Sequence, residues 1–174
     1  MSRKSQQVGG AFERWIEAQH EAAKILGILS HVEHNQAQAK VVRGGLRYVG
    51  KGVSDYTGTL AGNGRALAVE AKSTQKPRLP RAEIKKKQAE HMDAVARAGG
   101  LALLLVEFRQ ETKDAEFLQR FAIPWLEVPW ETKKSAESIS VEDLAAWAVV
   151  PDCYLLRWHA GGKSSVPRRV YPRE

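Results

Sequence analysis

The run Val53-Ser-Asp-Tyr-Thr-Gly-Thr-Leu60, the spacer Ala61-Gly-Asn-Gly64 and the run Arg65-Ala-Leu-Ala-Val-Glu-Ala-Lys72 decide how this chain is read. Asn63-Gly64 is a strong turn signal, because a type I′ turn requires positive φ at both central residues. The two runs are therefore expected to pair as an antiparallel β-hairpin. Side chains alternate along a strand, so Glu70 and Lys72 project from one face and Ala71 from the other. Asp55 stands fifteen residues before Glu70. Paired strands lie about 4.8 Å apart, so the hairpin can set Asp55, on its first strand, beside Glu70.

Two carboxylates this close repel, which raises a pKa unless a cation holds them. A hard divalent ion with oxygen ligands fits that need, and Mg²⁺ also accepts waters and phosphate oxygens. In phosphodiester hydrolysis such an ion lowers the pKa of a bound water and stabilises charge developing on the phosphate. Lys72 is placed to orient the attacking water or to neutralise the phosphate. The stretch Ala66 to Val69 is apolar, so the charged pair stands out at the end of a hydrophobic strand.

Outward from the hairpin, a helix is expected from about Val8 to Leu26, with Ala11, Phe12, Trp15, Ile16, Ala22, Ala23 and Leu26 at helical spacing and Gly27 as its stop. Ser30 to Val42 is polar and carries no clear pattern. Leu46 to Val49, set between Gly44-Gly45 and Gly50-Lys-Gly52, looks strand-like. Thr74 to Pro80 reads as a loop, and Arg81 to Ala98 as a helix with Ile84, Gln88, Met92 and Val95 on one face, ended by Gly99-Gly100. Leu101 to Phe108 has the nearly unbroken apolarity of a central strand covered on both sides. Phe121 to Trp130 suggests one or two short strands bent by Pro124 and Pro129. Ser140-Val-Glu-Asp143 resembles a capping box with aspartate in the acidic position, and Tyr154 to Trp158 suggests a last strand. The order implies an α/β or mixed α+β sheet flanked by helices. Trp125, Trp130 and Trp147 are candidate core residues.

The chain has 174 residues, and with no repeat or low-complexity linker it reads as one domain, 1–174, with a core at about 8–108 and an extension of the sheet and helices at 109–174. No apolar run approaches the roughly 20 residues that span a bilayer, and no apolar signal core follows Met1, so a cytoplasmic location is expected. The single cysteine, Cys153, excludes an internal disulfide and reads as a buried structural thiol. With 27 Lys+Arg against 20 Asp+Glu the net charge is +7, which favours a polyanionic partner. The basic residues cluster at Arg3-Lys4, Arg43 to Lys51, Arg78 to Lys87 and Arg168-Arg169.

An aspartate, a glycine-containing hairpin and an apolar strand ending in Glu-x-Lys together resemble the PD-(D/E)xK nuclease superfamily, with Ser54-Asp55 in place of the usual Pro-Asp. The resemblance implies a restriction-endonuclease-like core with a central mixed β-sheet. A closer likeness follows from Asp55-Tyr-Thr-Gly58, Val69-Glu-Ala-Lys-Ser-Thr74, Gln88-Ala-Glu-His-Met92 and Gly9-Gly-Ala-Phe-Glu13. In this order, across about Gly9 to Phe108, they resemble the RecU family of Holliday junction resolvases. That resemblance implies metal ligands at Asp55 and Glu70, a catalytic lysine at Lys72, and Glu13 supporting the metal or its water. It further implies that Gln88 is a polar orienting group on the helix beside the catalytic strands. RecU proteins carry a longer stalk before Asp-Tyr-x-Gly, so a reduced stalk or a differently shaped basic β-projection is expected between His34 and Ser54.

The leading expectation is thus a Mg²⁺-dependent endonuclease, with Mn²⁺ substituting and no small-molecule cofactor, that resolves four-way DNA junctions. Paired cuts imply a homodimer. Arg3, Lys4, Arg43, Arg47, Lys51, Arg81, Lys85 and Lys86 are the expected phosphate contacts. The open alternatives are a nuclease of the same fold acting on duplex DNA, and a non-catalytic DNA-binding accessory protein.

Overall fold

The computed structural model describes residues 3–35, 39–42, 45–48, 53–111, 116–133, 136–147 and 153–156. Helix α1 (Arg3–Ile25) leads into strand β1 (Leu29–His34), and β2 (Ala39–Val42) and β3 (Gly45–Tyr48) form a separate two-stranded ribbon. The hairpin strands are β4 (Tyr56–Leu60) and β5 (Ala66–Thr74), and β6 (Arg78–Pro80) precedes α2 (Lys86–Arg97). Then follow β7 (Leu101–Glu111), β8 (Glu116–Pro124), β9 (Glu131–Lys133) and β10 (Ala136–Ser140).

The main sheet has five strands in the order β1-β4-β5-β7-β8 and is mixed: β5 and β7 run parallel, every other neighbouring pair antiparallel. Strand alternation divides the core. Leu67, Val69, Leu103 and Leu105 pack with Phe12 and Ile16 of α1. Ala68, Leu104 and Val106 pack with Met92 of α2, Trp125 and Trp147, and Trp130 lies partly buried against them. Covered on both faces, residues 101–108 are all buried, which is why that strand reads as one apolar run.

The hairpin forms where expected, with Tyr56 opposite Val69 and Thr59 opposite Ala66. Its loop is longer than a two-residue type I′ turn: the Leu60 N–H bonds the Arg65 carbonyl at 2.8 Å, and positive φ falls on Gly62 and Gly64. The strand-like Leu46 segment is β3, paired with β2, so that Lys40 stands opposite Arg47.

Several boundaries differ from the pattern-based reading. The patternless segment from Ser30 to Val42 contains most of β1, whose burial alternates too weakly to show in sequence because it lies at the sheet edge. Arg78–Pro80 is not loop but a strand that pairs with β10, and no sequence pattern marks β9 or β10. The expected helix at Arg81 opens as a 3-10 turn, Arg81–Glu83, and α2 begins only at Lys86. Residues 154–156 form a turn and not a strand; Arg157 and Trp158 lie outside the described residues. That turn docks on α1, where the His20 ring nitrogen Nε2 and the Tyr154 hydroxyl are 2.5 Å apart and the buried Cys153 thiol faces the Gln19 carbonyl. Burial, chiefly, and the Lys24 charge lower the His20 pKa to about 4. The Ser140–Asp143 capping box does form: the Ser140 N–H bonds Asp143 Oδ2 at 2.8 Å, and the Asp143 N–H reaches Ser140 Oγ at 3.4 Å. Among the described residues no helix is long and apolar enough to cross a membrane.

Candidate active site

Continuing the β4–β5 register by one residue from the Tyr56–Val69 pair sets Asp55 opposite Glu70. Asp55 itself lies in the bend just before β4, and its Oδ2 accepts the backbone N–H of Ala71 at 2.9 Å. Gly58, two residues into β4, is required by the neighbouring strand: a Cβ there would lie 2.2 Å from the His31 carbonyl oxygen. The glycine lets β4 close on β1 and so brings Asp55 into line.

Glu70 is wholly buried. Its Oε1 accepts hydrogen bonds from Lys72 Nζ and, at 2.6 Å, from Gln88 Nε2. Its Oε2 is buried with no hydrogen-bond partner. Burial, followed by the Asp55 charge and opposed by Lys72, pushes the Glu70 pKa up to about 7. Gln88 sits at the third position of α2, where its Oε1 also accepts the Lys85 N–H at 2.9 Å. Lys85 has no side-chain acceptor, so the glutamine supplies the side-chain cap at this helix start.

The structure thus brings Asp55, Glu70, Lys72 and Gln88 together. Glu13 is exposed on α1, outside any three-carboxylate group: among the described residues no cluster of three or more His, Cys, Asp or Glu is placed to hold a metal. The expected ligand trio of Asp55, Glu70 and Glu13 is therefore not assembled, because α1 packs over the opposite face of the sheet. Its field does reach the site's edge: burial first, then Glu17, Glu13 and Asp55, raise the pKa of the buried Tyr56 phenol well above its ordinary range.

An orphaned carboxylate oxygen on Glu70 with a second carboxylate at Asp55 is a donor set suited to a divalent cation. Lys85 and Lys86 are exposed at the α2 N-terminus, next to Gln88. Arg81 is partly committed elsewhere, ion-paired with Glu137 at 3.1 Å and 5.5 Å from the Trp130 ring centre. Arg3 and Lys4 lie in the first turn of α1, and Arg47 lies on β3. Arg43, Lys51, Arg168 and Arg169 fall outside the described residues.

Two features escape pattern reading. Asn35 bonds the Ser54 carbonyl and Thr57 Oγ1, each at 3.1 Å; a lone asparagine in a polar stretch gives no signal. Glu107, fully buried, accepts bonds from Ser73 Oγ at 3.0 Å, Arg109 at 3.1 Å and Arg120 Nε at 2.9 Å. Here a signal exists, since Glu107 interrupts an otherwise apolar run. Arg120 in turn lies 4.4 Å over the Trp15 ring of α1.

A mixed sheet that presents an aspartate opposite Glu-x-Lys across a hairpin has the organisation of the PD-(D/E)xK nuclease class. The profile of the Recombination protein U (RecU) family matches residues 24–150, and the chain belongs to that family. Among solved structures it is similar to Hjc of Archaeoglobus fulgidus, a Holliday junction resolvase from an archaeal hyperthermophile, at 20% identity and a TM-score of 0.35. That match covers 54% of this chain and 66% of Hjc, just short of two thirds of its length. No curated protein matches the chain in sequence.

Proposed function

We propose that this chain is a single-domain, cytoplasmic endonuclease that resolves four-way DNA junctions by metal-dependent phosphodiester hydrolysis, acting as a homodimer. The observation that carries the chemistry is Glu70: buried, held at one oxygen by Lys72 and Gln88, unpartnered at the other, and facing Asp55. The junction as substrate follows from membership of the RecU family. Asp55 and Glu70 would hold the divalent ion, Mg²⁺ with Mn²⁺ as substitute. When bound, that ion supplies charge for the scissile phosphate and an acidified water. Gln88 keeps the Glu70 carboxylate aimed. Lys72, which donates to Glu70 Oε1, would present its ammonium to the phosphate and the attacking water. Lys85, Lys86 and Arg81, with Arg3, Lys4, Arg43, Arg47 and Lys51, bind the DNA backbone without reading sequence.

The test uses a synthetic immobile four-way junction and the matching linear duplex, with and without Mg²⁺, for the wild type and Asp55→Asn. Symmetric, metal-dependent nicks confined to the junction and absent from the variant support the proposal. Cutting of duplex alone would move the protein to another nuclease role. Binding without cutting would leave only an accessory protein.

A further inference from the structure

We propose that Asn35 is a positioning residue that holds Asp55 in place; this rests on reading Asp55 as a metal ligand. Asn35 is the first residue after β1, where the chain leaves the main sheet, and Ser54-Asp55 is where it returns, just before β4. Residues 36–53 lie between them and include the ribbon. Asn35 closes this loop at its base. Its Nδ2 donates to the Ser54 carbonyl and to Thr57 Oγ1, each at 3.1 Å, and its backbone N–H donates to the Asp55 carbonyl at 2.8 Å. Ser54 Oγ adds a bond to the Tyr56 carbonyl at 3.2 Å.

Asp55 precedes the β4–β5 ladder, and on the β1 side its carbonyl takes the backbone N–H of Asn35, so what the Asn35 side chain adds is its hold on the Ser54 carbonyl and Thr57 Oγ1. Asp55 is gripped from two sides: Ala71 of β5 binds its carboxylate, and Asn35 binds its backbone carbonyl and that of the preceding residue. In the superfamily pattern a proline usually precedes this aspartate, and its ring locks φ. Ser54 lacks that lock, and the Asn35 hydrogen bonds replace it.

The test compares the full-length wild type, Asn35→Ala, Asn35→Ala/Ser54→Pro and Asp55→Asn. Three quantities are read: Mn²⁺ affinity by titration calorimetry without DNA, the Mg²⁺ concentration for half-maximal junction cleavage, and junction affinity. Loss of a group that orients a metal ligand weakens metal binding by about tenfold. Asn35→Ala is expected to do so in both metal measurements, with junction affinity unchanged within about twofold and the metal affinity regained when Ser54→Pro restores the φ lock. Unchanged Mn²⁺ affinity in Asn35→Ala, or a loss that Ser54→Pro leaves in full, would overturn the proposal. Should Asn35→Ala fail to fold, Asn35→Ser, too short to reach both acceptors, allows the same measurements on a milder lesion. Asp55→Asn separates the two ideas: wild-type Mn²⁺ affinity and cleavage in that variant would sink the site reading itself, whatever Asn35 does.

Discussion

Gln88 donates from Nε2 to Glu70 Oε1 at 2.6 Å while its Oε1 accepts the N–H of Lys85 at 2.9 Å. One side-chain amide therefore starts α2 and aims the buried carboxylate of β5. Gln88 thus ties the start of α2 to β5, beside the packing of Met92 with Ala68 and Leu104.

Gln88→Leu removes both bonds at nearly constant volume. Stability should fall by about 1–2 kcal/mol, the cost of a missing cap and a missing hydrogen bond, in urea denaturation. Cleavage should fall further, by about 10- to 100-fold, because Glu70 loses its aim. Gln88→Glu keeps the acceptor for Lys85 but sets a carboxylate against Glu70. It should retain most of the stability and lose activity; equal activity in Gln88→Glu and wild type would argue against the orienting role.

Glu70 titrates at about 7 instead of the usual 4.5. A carboxyl whose folded pKa is raised adds stability that is complete below its unfolded pKa and is lost as the pH rises through the folded value. The metal-free protein should therefore lose this group's contribution between about pH 4.5 and 7. Divalent cations need the ionised carboxylate, so Mn²⁺ affinity should rise steeply from about pH 5.5 to about pH 8 and compensate at the upper end. Thermal melts with and without Mn²⁺ across this window check both signs. An equal Mn²⁺ effect at the two ends would contradict the assignment.

The wholly buried Glu107 carboxylate pairs with both Arg109 and Arg120. Glu107→Ala removes the buried carboxylate that Arg109 and Arg120 share, and breaking a buried pair from one side costs about 3–5 kcal/mol. Glu107→Gln, which keeps the acceptor oxygen for Arg120, should cost clearly less. Chemical denaturation of both variants gives the comparison, and near-equal losses would show that the charge matters more than the hydrogen bonds.

Lys85 and Lys86 stand exposed at the start of α2, a position the helix dipole makes unfavourable for cations and favourable for anions. Replacing both by alanine should weaken DNA binding at low salt. It should also reduce the slope of log affinity against log salt by about one for every phosphate no longer neutralised. Metal affinity without DNA should not change. A salt slope equal to that of the wild type would place the DNA elsewhere.

Local sequence determined the hairpin, the doubly covered strand Leu101–Phe108 and the pairing of Asp55 with Glu70-x-Lys72. Each rests on a short-range rule: turn chemistry at the glycines of Ala61 to Gly64, alternation along β5, and continuous apolarity where two layers cover one strand. Gln88 was also legible, through its place in the Gln88-Ala-Glu-His-Met92 motif on one face of an amphipathic helix. Tertiary structure decided the rest. Whether β1 and β6 are strands depends on partners remote in sequence, β4 for one and β10 for the other. That Glu13 stays outside the carboxylate pair depends on which sheet face α1 covers, and no residue near Glu13 encodes that. The clasp between Asn35 and Ser54 joins residues separated by the whole ribbon. Hydrogen bonds of this kind need geometry at both ends, and only the folded chain supplies the second end.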